Sequence, residues 1–107
     1  MENLKVIPRI KEVKVSILKP NPPILQIEAL GEVNSGGWTQ GTLLPYVYIV
    51  PPKDGIYEFD FVALAPTGPA TRALEDIEAS YDWRDFPKDL KGVRVHGAEN
   101  SKETLIK

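Results

Sequence analysis

An all-β, two-layer antiparallel sandwich of immunoglobulin-like architecture, with about seven strands and short helical turns, is the fold this sequence predicts. Three observations carry that expectation. Ten prolines and eight glycines punctuate 107 residues, and no uninterrupted amphipathic helix of a dozen residues survives between them. Between them run short segments in which apolar and polar residues alternate, the period of a half-buried strand. The segments recur about every ten residues, as in two packed sheets. An open barrel remains the alternative.

The first strand is expected over 10–18, where Val13, Val15 and Ile17 oppose Glu12, Lys14 and Ser16. Three prolines within 19–23 end it, because proline cannot donate to a ladder. The second is expected over 24–33, with Leu25, Ile27, Ala29 and Val33 on one face. Residues 34–42, Asn-Ser-Gly-Gly-Trp-Thr-Gln-Gly-Thr, read as a long polar loop, a kind of segment that often carries function.

The clearest element is a hairpin over 46–50 and 56–64, joined by Pro51-Pro52-Lys53-Asp54-Gly55. Asp-Gly after paired prolines is a turn signal, and glycine accepts a positive φ. Without a bulge, Val50 faces Ile56, Val47 faces Phe59 and Tyr46 faces Asp60. Tyr57, Phe59, Phe61 and Ala63 alternate with Glu58 and Asp60, so the aromatic side is the core side. Cross-strand neighbours share a face. That register turns Val47 and Ile49 inward, and puts Tyr46 and Tyr48 outside beside Glu58 and Asp60.

Beyond Pro69 the pattern is weaker. Residues 73–80 fit a helical turn or a strand, with Leu74 and Ile77 three apart. Residues 85–90 fit a short helical turn capped by Asp85 with Pro87 in its first turn. Val93 and Val95 alternate with Arg94 and His96 in a further strand, and 104–106 makes a last edge strand. The length fits one domain, 1–107, with mobile ends near 1–8 and 100–107.

Composition narrows function mainly by exclusion. The formal net charge is −2 and there is no cysteine. Thiolate metal sites, disulfides and cysteine nucleophiles are therefore ruled out. A nucleic-acid partner is not expected without a basic face. No stretch has the apolar length of a membrane span or a signal peptide, which predicts a cytoplasmic protein. The charge is uneven: Lys5, Arg9, Lys11, Lys14 and Lys19 are followed much later by Glu75, Asp76, Glu78, Asp82, Asp85 and Asp89. Two solvated surfaces, lying close to one another, are the plain reading; a field that steers a charged partner is the other.

No catalytic, metal or cofactor motif is present. The acids of 75–89 lack calcium-loop spacing, and Arg84 and Lys88 lie among them. Ser35 lies in Ser-Gly-Gly, outside any nucleophile elbow. Gly36-Gly37 is followed by no phosphate-binding lysine. Glu58 and Asp60 share a strand face roughly 7 Å apart, permissive for paired-carboxylate chemistry but commonplace. His96, the one histidine, would need a nucleophile and an orienting acid to serve as a base. What remains is aromatic. Trp38 and Trp83 fit plugs for the open ends of a sandwich. Tyr46 and Tyr48, with Glu58, Asp60 and Trp38, make the candidate binding surface. Its expected partner is a protein, with a homodimer as one form of that partner.

The segments Ser35-Gly36-Gly37-Trp38-Thr39, Leu44-Pro45-Tyr46-Val47-Tyr48 and Pro51-Pro52-Lys53-Asp54-Gly55-Ile56-Tyr57-Glu58-Phe59-Asp60-Phe61, with Lys91-Gly92-Val93-Arg94-Val95-His96-Gly97-Ala98, resemble a group of short, uncharacterised bacterial proteins. The resemblance lies between residues 35 and 98, a span of somewhat over half of the chain, and implies a stand-alone small protein. In size and expected fold the chain is also similar to the chagasin-type cysteine-protease inhibitors, which act through loops at one sandwich end, including Asn-Pro-Thr-Thr-Gly; only Asn21-Pro22-Pro23 is comparable here. The functions to weigh are therefore a non-enzymatic interaction module, an inhibitor acting through end loops, and a small hydrolase using His96 with surface acids.

Overall fold

A computed structural model describes residues 4–106. Eight strands form two sheets: β1 (Leu4–Val6), β2 (Arg9–Leu18), β3 (Ile24–Ser35), β4 (Thr39–Pro45), β5 (Ile56–Leu64), β6 (Arg72–Arg84), β7 (Gly92–His96) and β8 (Ser101–Leu105). One sheet is β2-β3-β6. In the other, β5 carries β4 on one side and both β1 and β7 on the other, and β8 lies outside β7. Among the described residues there is no helix, so none is long and apolar enough to cross a membrane.

The expected alternation is realised in β2, β3, β5 and β7. Leu25, Ile27, Ala29 and Val33 are buried, as are Val93 and Val95. Phe59 and Phe61 have no exposed surface; burying each contributes about 1.5–3 kcal/mol. In β2, Lys11 is the extra residue of a bulge between Ile10 and Glu12. The bulge shifts parity by one, so Ile10 and Val13 both enter the core although they stand three apart.

Of the two readings of residues 73–80 the strand is realised: β6 pairs with β3 through a continuous antiparallel register from Ile24 with Arg84 to Val33 with Glu75. Several other expectations need correction. Residues 85–90 form turns, not a helix, closed by the Leu90 N–H donating to the Pro87 carbonyl at 3.2 Å. The loop expected over 34–42 shrinks to a turn over 36–38, because β3 runs on to Ser35 and β4 begins at Thr39. Of the six strand pairings described, β5 with β7 is parallel. Parallel pairing requires a long crossover, and the chain makes it by passing through β6 in the opposite sheet.

The largest correction concerns the hairpin. The partner of β5 is 39–45, not 46–50. Leu43 pairs with Phe61, Leu44 with Asp60 and Pro45 with Phe59, a register two residues away from the expected one. Val47 and Ile49, assigned to the core by sequence, are 95% and 100% exposed. Of the ends expected to be mobile, residues 1–3 and 107 lie outside the described residues; Leu4–Val6 and Ser101–Leu105 are strands. Ile7 between them and the body is fully buried. Its N–H donates to the Phe61 carbonyl at 3.0 Å, and its side chain lies where a Cβ on Gly31 would stand.

Two contacts join the sheets along their edges. Asn100 pairs with both backbone groups of Ile10, at 2.7 and 3.0 Å, and the Thr104 hydroxyl donates to the Val13 carbonyl at 2.8 Å, tying β8 to β2. On the opposite side β4 lies against β6 at Gly41, where an added Cβ would stand 2.5 Å from the Glu78 carbonyl oxygen. The basic β2 and acidic β6 flank β3, and Lys11 Nζ reaches Asp76 Oδ1 at 2.9 Å, so the two charged stretches do lie close together.

Candidate functional site

The site is built on the outward residues of β5 and β7 and on the segment that follows β4. Because Val93 and Val95 fill the core, Arg94 and His96 point out. Parallel pairing sets Arg94 beside Glu58 and His96 beside Asp60. Glu58 Oε1 then accepts from His96 Nε2 at 2.6 Å and from Arg94 Nη1 at 3.2 Å. Arg94 also reaches Glu103 on β8 at 2.6 Å. The His96 hydrogen bond holds the Glu58 carboxyl below its ordinary range, against the opposite push of burial, and Arg94 adds to the lowering. Hydrogen bonding to the ionised form has this sign.

Tyr46 lies over this cluster. Its ring stacks on His96 with centroids 5.6 Å apart and planes at 19°, and its hydroxyl donates to Asp60 at 3.0 Å. Burial and that carboxylate push the Tyr46 hydroxyl up to about 12. Its N–H donates to the Glu58 carbonyl at 2.9 Å, the last rung of the ladder. Past this point β4 has ended, and a side chain takes over the backbone's role: the Glu58 N–H donates to the Tyr48 hydroxyl at 3.0 Å. The Tyr48 ring meets Tyr57 edge to face at 5.3 Å, and Tyr57 meets Trp83 at 5.5 Å.

Residues 46–49 thus alternate, but Val47 and Ile49 do not turn inward as the sequence predicts. Tyr46 and Tyr48 are the anchors, engaged with the sheet beside Glu58 and Asp60. Val47, Ile49 and Val50 (71% exposed) stand in water. The return into β5 is a tight turn: the Gly55 N–H donates to the Pro52 carbonyl at 3.1 Å, with Gly55 at φ 72°, and Asp54 accepts from the Ile56 N–H at 3.0 Å. Glycine tolerates that φ without steric cost.

Four of the five residues assigned to a surface by sequence therefore come together: Tyr46, Tyr48, Glu58 and Asp60. Trp38 does not join them. It precedes β4, whose Thr39 pairs with Leu64, six residues or roughly 20 Å along the strand from Glu58, and it packs on the core. Sequence reasoning missed Glu103 and the aliphatic residues of the segment. The parity of 93–96 had already set Arg94 and His96 on one outer face. Around His96 the catalytic arrangement is incomplete. Glu58 supplies an acid, but no described hydroxyl hydrogen-bonds to the imidazole, and one ring face is covered by Tyr46.

No protein-family model, curated protein or solved structure matches this chain.

Proposed function

We propose that this chain is a non-enzymatic, cytoplasmic protein-interaction module that presents the 46–52 segment to a partner protein. One observation carries the reading: Val47, Ile49 and Val50 are 95%, 100% and 71% exposed on a segment whose tyrosines hold it in one place. Large aliphatic side chains grouped in water mark an interaction surface. A pre-ordered segment also loses little conformational freedom on binding. The hydrolase alternative has less support, because the His96 Nε2–H donates to Glu58 and its ring is stacked.

The inhibitor alternative draws support from one feature. The turns over 19–23, 46–55 and 85–91 gather at one end of the sandwich, since Leu18 pairs with Ile24, Ile24 with Arg84 and Ile56 with Gly92. Inhibition of a protease family by the intact chain, lost in the variant below, would make that partner a protease.

The test is the double variant Val47→Asp, Val50→Asp, compared with wild type for partners captured from the native cell and identified by mass spectrometry. Surface changes of this kind alter stability by less than about 0.5 kcal/mol, so the melting temperature should hold. A discrete set of captured proteins should disappear with the variant. Retention of the full set would overturn the reading, and a capture consisting of the chain itself would assign the surface to a homodimer.

A further inference from the structure

The anchored segment leaves a cleft of about 360 Å³ between itself and the end of the sandwich, walled by Tyr46, Tyr48, Pro51, Tyr57, Phe59 and Trp83. The rings meet nearly at right angles: Tyr48 on Tyr57 at 76°, Tyr57 on Trp83 at 74°, Phe59 on Trp83 at 82°. Edge-to-face packing turns neighbouring ring faces in different directions and leaves slots suited to flat, rigid rings.

The backbone decides how a peptide can use the cleft. An incoming strand would need free ladder groups on β5, and three of these are already engaged. The Ile56 N–H donates to Asp54, the Glu58 N–H to Tyr48, and the Glu58 carbonyl accepts from Tyr46. A helix with side chains is about 10 Å across, too wide for this volume. The remaining mode is an extended polyproline II segment, which needs no ladder and docks in aromatic-lined grooves. The Tyr48 hydroxyl accepts one hydrogen bond and keeps its own proton to donate, and the peptide carbonyls of a proline-rich segment are acceptors. Charge selects the flank. Asp60 accepts from the Tyr46 hydroxyl and Asp89 from the Tyr57 hydroxyl, Glu58 lines the cleft, and Arg94 is already paired with Glu58 and Glu103.

We propose that this cleft binds a proline-rich segment of the partner protein, in polyproline II form with a basic residue at its flank. The proposal rests on the interaction-module reading and names the chemistry that the partner supplies. Its test uses three synthetic peptides: ten prolines preceded by two arginines, the same prolines preceded by two glutamates, and a glycine-serine chain preceded by two arginines. The readout is the pair of tryptophan indole N–H signals in ¹H–¹⁵N spectra of the full chain, assigned with Trp38→Phe. Saturable movement of the Trp83 signal is expected with the first peptide, weaker binding with the second and none with the third, while the Trp38 signal stays fixed. Tyr48→Phe keeps the ring but removes both the hydroxyl that would donate to the peptide and the acceptor of the Glu58 N–H, so it should weaken the first peptide by at least about threefold.

No movement with either proline peptide, or equal movement with the glycine-serine peptide, overturns the proposal. So does a concentration-dependent dimer that shifts Trp83 without peptide, which would assign the cleft to the exposed prolines of 19–23 in a second copy. Val47 and Val50 do not wall the cleft. Loss of partner capture in Val47→Asp, Val50→Asp therefore stands even if the peptides fail, and the two readings fail separately.

Discussion

Tyr46 and Glu58 share the last rung beside β4 at the heart of the site, and each ties its protonation state to the fold. The Tyr46 hydroxyl, ordinarily near 10, is raised to about 12. The folded state thus favours its neutral form, a stabilisation present below pH 10 and lost as pH rises from 10 to about 12. Glu58 has the opposite sign. Its carboxyl is lowered from 4.5, so its stabilisation is present above pH 4.5 and is lost as pH falls through the lower folded value. Stability measured by urea denaturation across pH should fall at both ends. Tyr46→Phe is expected to reduce the slope of the alkaline limb and leave the acid limb, while Glu58→Gln does the reverse. Identical limbs in wild type and variants would show that neither group is coupled to folding.

At the scale of elements, the position of β4 is the decisive arrangement. Thr39-Gln40-Gly41-Thr42 carries little apolar area, yet it is the strand, and the richer 46–50 segment is not. Leu43, opposite Phe61, is buried, and Gly41 lets β4 come up against the Glu78 carbonyl of β6. The close approach depends on the missing Cβ. Gly41→Ala should therefore destabilise by about 1–3 kcal/mol, the usual cost of overpacking, read as a lowered denaturation midpoint. Gly68→Ala, where an added Cβ meets nothing within 4 Å, is the matched substitution expected to be neutral. An equal effect at both positions would remove the close-approach explanation. The same placement of β4 leaves residues 46–52 outside the sheet.

Over the whole molecule, two sheets are held by a shared apolar interior and by side chains that bridge their edges. Asn100 satisfies both the N–H and the carbonyl of Ile10, where the β2 bulge interrupts the regular ladder. Asn100→Ala leaves two part-buried backbone groups without partners and should cost about 1–3 kcal/mol. Amide exchange at Ile10 should quicken more than exchange at Ile27 in the centre of β3. Unchanged protection at Ile10 would mean that the bridge does not hold the edge.

Much of the architecture was legible in local pattern. Alternation in 10–18, 24–33, 56–64 and 93–96 fixes both a strand and its buried face within a few residues, because side-chain direction in a strand has period two. That logic gave 46–50 a register that the structure does not form, since Tyr46 lies opposite Glu58 rather than Asp60. It had no purchase on Tyr46-Val47-Tyr48-Ile49-Val50, which is apolar at both parities, so alternation carries no information about its face. The parallel pairing that brings His96 and Arg94 to Glu58, and the cleft against Trp83, join residues more than 20 positions apart. What the sequence by itself determined is that this chain forms strands and which side of most of them is dry. Which segment fills the place beside β5, and so which apolar residues are left in water, was decided only in the tertiary structure, where 39–45 and 46–50 compete for one edge and close packing against the opposite sheet selects between them.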